Sequence, residues 1–116
     1  MSLFAWDTVP KEQMNPKIWR KVVNGEKLTV AQLFLAKDAV VPVHHHENEQ
    51  MSNLLEGALK FNLDGQDVIV RKGDILQIPP NVPHGVVALE DTFCIEIFAP
   101  VRADWLTGQD DYLRKG

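Results

Sequence analysis

One cysteine in 116 residues, Cys94, leaves no partner for an internal disulfide and fits a reducing compartment. It lies in the apolar run FCIEIF, where a buried small hydrophobe is the expected role rather than a nucleophile. No apolar stretch approaches the roughly 20 residues that span a bilayer. The opening segment MSLFAWDTVPKEQ has no basic n-region and no long apolar core, so a secretory signal is not expected. Basic residues are outnumbered, 12 against 16 acidic, and they are scattered along the chain. Neither a stripe for tracking phosphates nor a polybasic membrane anchor is visible. These absences exclude nucleic acid and membrane as partners and predict a cytoplasmic protein. A small polar or anionic molecule remains as partner, and recognising it calls for locally placed arginine.

What is present is ordinary in bulk and ordered in detail. A hydrophobic fraction of 45% and a charged fraction of 24% suit a soluble globular chain. The length suits a single domain over residues 1–116, with a barrel core at about 18–100. Asn24-Gly25, Gly57, Asp64-Gly65, Lys72-Gly73, Pro79-Pro80-Asn81 and Glu90-Asp91 cut the middle of the chain into short pieces. Between them lie LTVAQLFLA, NLLEGALKFNL, DVIV, DILQIP, HGVVAL and TFCIEIFA, most of them strand-sized and rich in Val, Ile, Leu and Phe. Asp64-Gly65 in KFNLDGQDVIV is a hairpin signal, because both residues tolerate positive φ. Many short strands at even spacing predict an all-β sandwich or barrel. The first 16 or so residues lack a period and read as an arm across the barrel. The tail RADWLTGQDDYLRKG begins as a helical turn, with Trp105, Leu106, Tyr112 and Leu113 as apolar anchors.

Three of the four histidines are consecutive in VHHHENEQ. Strand alternation puts His44 and His46 on one face and His45 on the other. Two imidazoles so placed can reach one ion, and Gln50 can return to the same face across a bend. The fourth histidine, His84, follows the rigid turn PPNVP, which fixes how the next strand enters. On spacing alone, a solvated strand end or adventitious, tag-like metal binding remains open beside a true site.

The segment HHHENEQMSNLLEG resembles the first motif of the cupin family, with His44, His46, Gln50 and Gly57 on its positions. GDILQIPPNVPH resembles the second, with Gly73, Pro79 and His84 in register. Gln50 stands where glutamate is more frequent, and Asn81 stands for a glycine, at a turn that asparagine tolerates. The resemblance implies a double-stranded β-helix (the cupin jelly-roll barrel), usually a homodimer, with a metal held inside by His44, His46, Gln50 and His84. Three imidazoles and an amide oxygen suit a divalent transition metal, Fe, Mn, Ni or Zn, without choosing among them.

The stretch HGVVALEDTFCIEIFAPVRADWL is similar to that of small cupins of pectin and alginate breakdown, which convert 4,5-unsaturated uronates to linear keto acids. On that resemblance Glu96, Phe98 and Arg102 line the pocket, with Glu96 standing where an aspartate is usual, as proton shuttle, pocket wall and carboxylate grip. Asn53 replaces a more common large aromatic, implying a different pocket floor. A uronate isomerase- or lyase-like enzyme, a cupin dioxygenase, and a non-catalytic sugar-binding barrel are the three functions this pattern admits.

Overall fold

The computed structural model describes residues 1–115. Its ten strands are β1 (Glu12–Asn15), β2 (Ile18–Asn24), β3 (Thr29–Leu35), β4 (Val40–His44), β5 (Glu49–Glu56), β6 (Ala58–Leu63), β7 (Gln66–Arg71), β8 (Ile75–Ile78), β9 (His84–Ala88) and β10 (Thr92–Ala99). Two short helices, α1 (Ala103–Leu106) and α2 (Asp111–Lys115), close the chain.

The turn residues act as their chemistry requires. Asp64 and Gly65 have φ of 50° and 89°, so the β6–β7 ribbon reverses with Leu63 opposite Gln66. Asn81 takes φ of 64°, as expected for the residue that replaces a glycine. Gly57, at φ 92°, packs so tightly that a Cβ would fall on Asp91 O and the Thr92 side chain. No side chain fits there without moving β10.

The strands pair antiparallel in two sheets, β1-β2-β3-β10-β5-β8 and β4-β9-β6-β7. Inward positions alternate as the pleat demands: Thr29, Ala31, Leu33 and Leu35 on β3, and Thr92, Cys94, Glu96 and Phe98 on β10, are all buried. The core joins Ile18, Leu33, Leu54 and Ile78 of one sheet to Val41, Leu59, Phe61 and Val86 of the other. This is the expected all-β jelly roll. Among the described residues no helix is long and apolar enough to cross a membrane.

Both ends depart in part from expectation. The arm runs without strand pairing, through one 3-10 turn at Trp6–Thr8, only as far as Lys11; Glu12–Asn15 then pairs with β2 and widens the sheet. Met14, 5% exposed, turns into the core. In the tail, Trp105, Tyr112 and Leu113 pack on the barrel, whereas Leu106 is 63% exposed and anchors nothing. The tail is tied down by Arg20, whose Nη2 meets buried Asp110 Oδ2 at 2.5 Å and whose Nε meets Glu12 at 2.7 Å. Asn15 Nδ2 also donates to Leu113 O at 2.8 Å. Gly116, the last residue of the expected tail, lies outside the described residues.

Candidate metal centre

β4 and β9 pair so that His44 stands opposite His84, one imidazole from each strand at the same end of the barrel. His46 does not continue the strand as expected. β4 ends at His44, and His46 sits on the bend before β5. It still turns inward, 9% exposed, while His45 is exposed. The turn before β9 fastens onto this bend, with Asn81 N donating to His46 O at 2.8 Å. Two segments distant in sequence are thereby held in fixed relation.

Each of the three rings is oriented through Nδ1 by a carbonyl two residues away: Pro42 O at 2.9 Å for His44, Asn48 O at 3.0 Å for His46, and Val82 O at 2.8 Å for His84. A neutral imidazole that donates from Nδ1 presents a lone pair at Nε2. Burial keeps the rings neutral, lowering His44 to about 3 and His46 to about 4, with the Arg102 charge assisting at His46. Burial lowers His84 as well. The three rings offer ligand atoms within 4.8 Å of one another. His84 Nε2 is buried with no hydrogen-bond partner, a costly arrangement for a group that nothing satisfies. His46 Nε2 lies 3.1 Å from Gln50 Oε1, so in the neutral ring two lone pairs face each other. A shared cation removes both conflicts, so the donor set fits a metal ion that His44, His46 and His84 could hold together.

Behind this cluster, β10 lies beside β5 with Phe98 opposite Gln50 and Glu96 opposite Ser52. Glu96 is 4% exposed. Its Oε2 accepts from Ser52 Oγ at 2.5 Å and from Gln50 Nε2 at 3.0 Å. Burial pushes this carboxyl from 4.5 up to about 7, although the hydrogen bonds from Ser52, Gln50 and Cys94 pull it down. The bond from Gln50 Nε2 also fixes the amide so that its oxygen points to the histidines. Cys94, fully buried beside Glu96, has its thiol pushed up by burial and by that carboxyl. It is inert, as its apolar run predicts.

Arg102 is 1% exposed. Its guanidinium lies over the rings of Phe98, at 4.6 Å, and Trp105, at 4.4 Å, which meet each other edge to face with centroids 5.0 Å apart. Asp104 holds it at both ends, at 2.8 Å from Nε and 2.6 Å from Nη2. Arg102, Glu96, Phe98, Gln50, His44 and His84 line one cavity of about 50 Å³. Asn53, expected at the pocket floor, lies on the outer side of β5 opposite Ile95 and is not part of this cavity.

Four neighbours of the site went unnoticed in the sequence. Ser52 carried a signal, two residues beyond Gln50 on the same strand face. Asn48, 2% exposed, donates to Pro100 O and, at 3.3 Å, to Val101 O, but nothing local marked it. Asp104 sits two residues from Arg102, and Tyr112 read only as an apolar anchor.

The Cupin domain family matches residues 32–98, more than half of the chain. The chain is 31% identical over 106 residues to the pectin degradation protein KdgF of Dickeya dadantii, covering 89% of this chain and 96% of that one. The structure of KdgF from a Halomonas species superposes with a TM-score of 0.83 at 30% identity, over 90% of this chain and 98% of that one. An RmlC-like cupin from Shewanella frigidimarina gives a TM-score of 0.83 at 26% identity, over 90% and 96%. The fold, the inward histidines and these likenesses agree: the chain belongs to the cupin family.

Proposed function

We propose that this cupin is a metal-dependent enzyme that opens and tautomerises a 4,5-unsaturated uronate or a similar small sugar acid. The observation that carries the reading is a convergence on one cavity. A buried carboxyl (Glu96), a neutral imidazole pair (His44, His84) and a buried guanidinium (Arg102) all line it. The 31% identity to a pectin degradation protein supports the same substrate class.

In this reading His44, His46 and His84 hold the ion through Nε2, with the Gln50 oxygen as fourth ligand. When bound, the divalent ion supplies Lewis acidity to a substrate oxygen, undiminished by any ligand charge because Gln50 is neutral. Arg102, packed against two aromatic rings, takes the substrate carboxylate through paired N–H donors. Glu96 removes the proton of the anomeric hydroxyl as the C1–O5 ring bond breaks, leaving an aldehyde at C1 and an enolate at C5. The same proton is delivered from Glu96 to C4 as the enolate becomes a ketone, which returns the carboxylate. Atoms and charge balance without an oxidant. A carboxyl held at about 7 is present in both forms at neutral pH, as a group that both takes and gives a proton requires. Phe98 forms the wall beneath Arg102 and helps keep water from the enol.

The whole chain acts as one domain in this reading and works in the cytoplasm. It pairs as a homodimer through the outer face of the six-stranded sheet, where Trp19, Phe34, Phe93, Ile97 and Ile75 leave apolar surface half-buried or exposed. The test is elemental analysis of untagged protein followed by incubation with unsaturated galacturonate. Loss of the absorbance of the conjugated double bond is expected. An unchanged spectrum from metal-replete protein, or full activity in His46→Ala, refutes the proposal; oxygen consumption with bound iron points to a dioxygenase instead.

A further inference from the structure

The cavity that holds the site chemistry is too small for the substrate. A buried water needs about 10–15 Å³ of space for its centre, so about 50 Å³ takes about four waters, whereas a hexenuronate has about a dozen heavy atoms. With the tail placed as it is, the inner cavity has no room for such a molecule.

The shutter is one ring. On the far side of Tyr112 lies a groove of about 320 Å³, walled by His45, His46, Glu47, Asn48 and Asp104 and sharing only His44 and Tyr112 with the inner cavity. The Tyr112 ring stacks on His44 with centroids 4.0 Å apart and planes 16° apart. It is therefore a wall between the groove, which reaches His44 and His46 from outside, and the inner cavity where Glu96 and Arg102 lie.

What holds the partition is also what a substrate would need. The Tyr112 hydroxyl accepts from Arg102 Nη2 and, at 3.0 Å, from Trp105 Nε1. A carboxylate entering to pair with Arg102 competes for the same guanidinium, and it offers a charged acceptor in place of a neutral one. The tethers of the moving piece are few. Asp110 stays fixed on Arg20 at its base, and beyond it α2 is held by the Asn15 bond to Leu113 O and by the buried Leu113 side chain.

We propose that α2 is a gate opened by carboxylates: the Tyr112 hydroxyl occupies Arg102 in the closed form, and a sugar-acid carboxylate displaces it to enter the barrel. The identity of the sugar acid rests on the function proposed above, whereas the gate rests on the geometry of the tail alone.

The two are tested separately on the full chain with phenylglyoxal, which reacts with arginine only where it can reach it. Exposed Arg71 serves as internal reference, and mass spectrometry reads each site. Tyr112→Phe removes the hydroxyl and keeps the ring; Asn15→Ala loosens α2 from outside the cavity. Both are expected to speed Arg102 modification by about tenfold, the factor for losing one hydrogen bond of this kind. Both should also let galacturonate protect Arg102 at severalfold lower concentration, because a larger open fraction raises apparent affinity. Unchanged modification in either variant overturns the gate. So does weaker protection in the variants, which would make Tyr112 a substrate contact instead of a competitor. Faster modification with no protection by galacturonate in any form leaves the gate standing and sinks the uronate reading.

Discussion

Replacing Glu96 by glutamine should make the protein more stable and less active, and the stability gain should depend on pH in a defined window. Moving a carboxyl from 4.5 to about 7 separates its protonated and ionised forms by about 3 kcal/mol, at about 1.4 kcal/mol per pH unit. Between those two values the folded chain holds the proton that the unfolded chain has released. Stability therefore falls as pH rises through this window and is level above it. The amide of the Glu96→Gln variant stays neutral throughout. Its oxygen can accept from Ser52 and Gln50 as Glu96 Oε2 does now, and its nitrogen takes the side near Cys94. The stability difference, variant minus wild type, should be near zero at pH 4.5 and reach about 3 kcal/mol by pH 8. Urea unfolding of both chains at several pH values, after chelator treatment, measures it. The histidine contributions are common to both and largely cancel. A difference that stays flat with pH would show that Glu96 titrates as an ordinary surface carboxyl, and the reasoning from its burial would fail. A variant that is stabilised yet inactive on the uronate is the outcome expected of a residue kept for its chemistry at a cost in stability.

In the Glu96→Gln variant, where that carboxyl no longer titrates, metal affinity should stay level from pH 8 down to about 5, because His44 and His46 resist protonation until about 3 and 4, whereas ordinary imidazole ligands weaken below about 6.5. Competition titration against a chromophoric chelator checks this; a steady loss beginning near 6.5 would count against buried, preformed ligands. His84→Ala removes a buried ligand atom that has no hydrogen-bond partner and should cut metal content to under about a tenth, read by elemental analysis. Gly57→Ala sets a side chain against Asp91 O and Thr92 at φ 92° and should cost about 2 kcal/mol or more in urea unfolding.

Much of this was written locally in the sequence. The Asp64-Gly65 turn, the alternation that turns Glu96 and Phe98 inward, and the prolines that preset His84 all depend on neighbours a few residues away. Alternation misjudged His46 in one respect, since the bend and not the strand carries it inward. It had no means of placing Ser52 opposite Glu96, which follows from the register of β10 on β5. Leu106 and Leu113 look equivalent in the sequence, yet one is exposed and the other buried. The docking of the tail is decided by Arg20 and Asp110, 90 residues apart, and a pairing of that range leaves no local signature. Tyr112 is hidden for the same reason.

The register of β10 on β5 also gives a reason for the glutamine at position 50. Gln50 Nε2 lies 3.0 Å from Glu96 Oε2. A glutamate at that position would put a second carboxylate at that distance in a buried site, and two such groups do not both ionise. One would hold a proton continuously, either weakening the metal ligand or fixing Glu96 in its acid form. With Gln50 the amide instead spans the two functions, its oxygen toward His46 and its N–H toward Glu96. On the proposed reaction, the negative charge that a glutamate here would place on the metal is set one hydrogen bond behind it instead, on the group that would take and release the proton. The departure at position 50 and the buried carboxyl at position 96 are then one adaptation, and changing either alone should disturb the other.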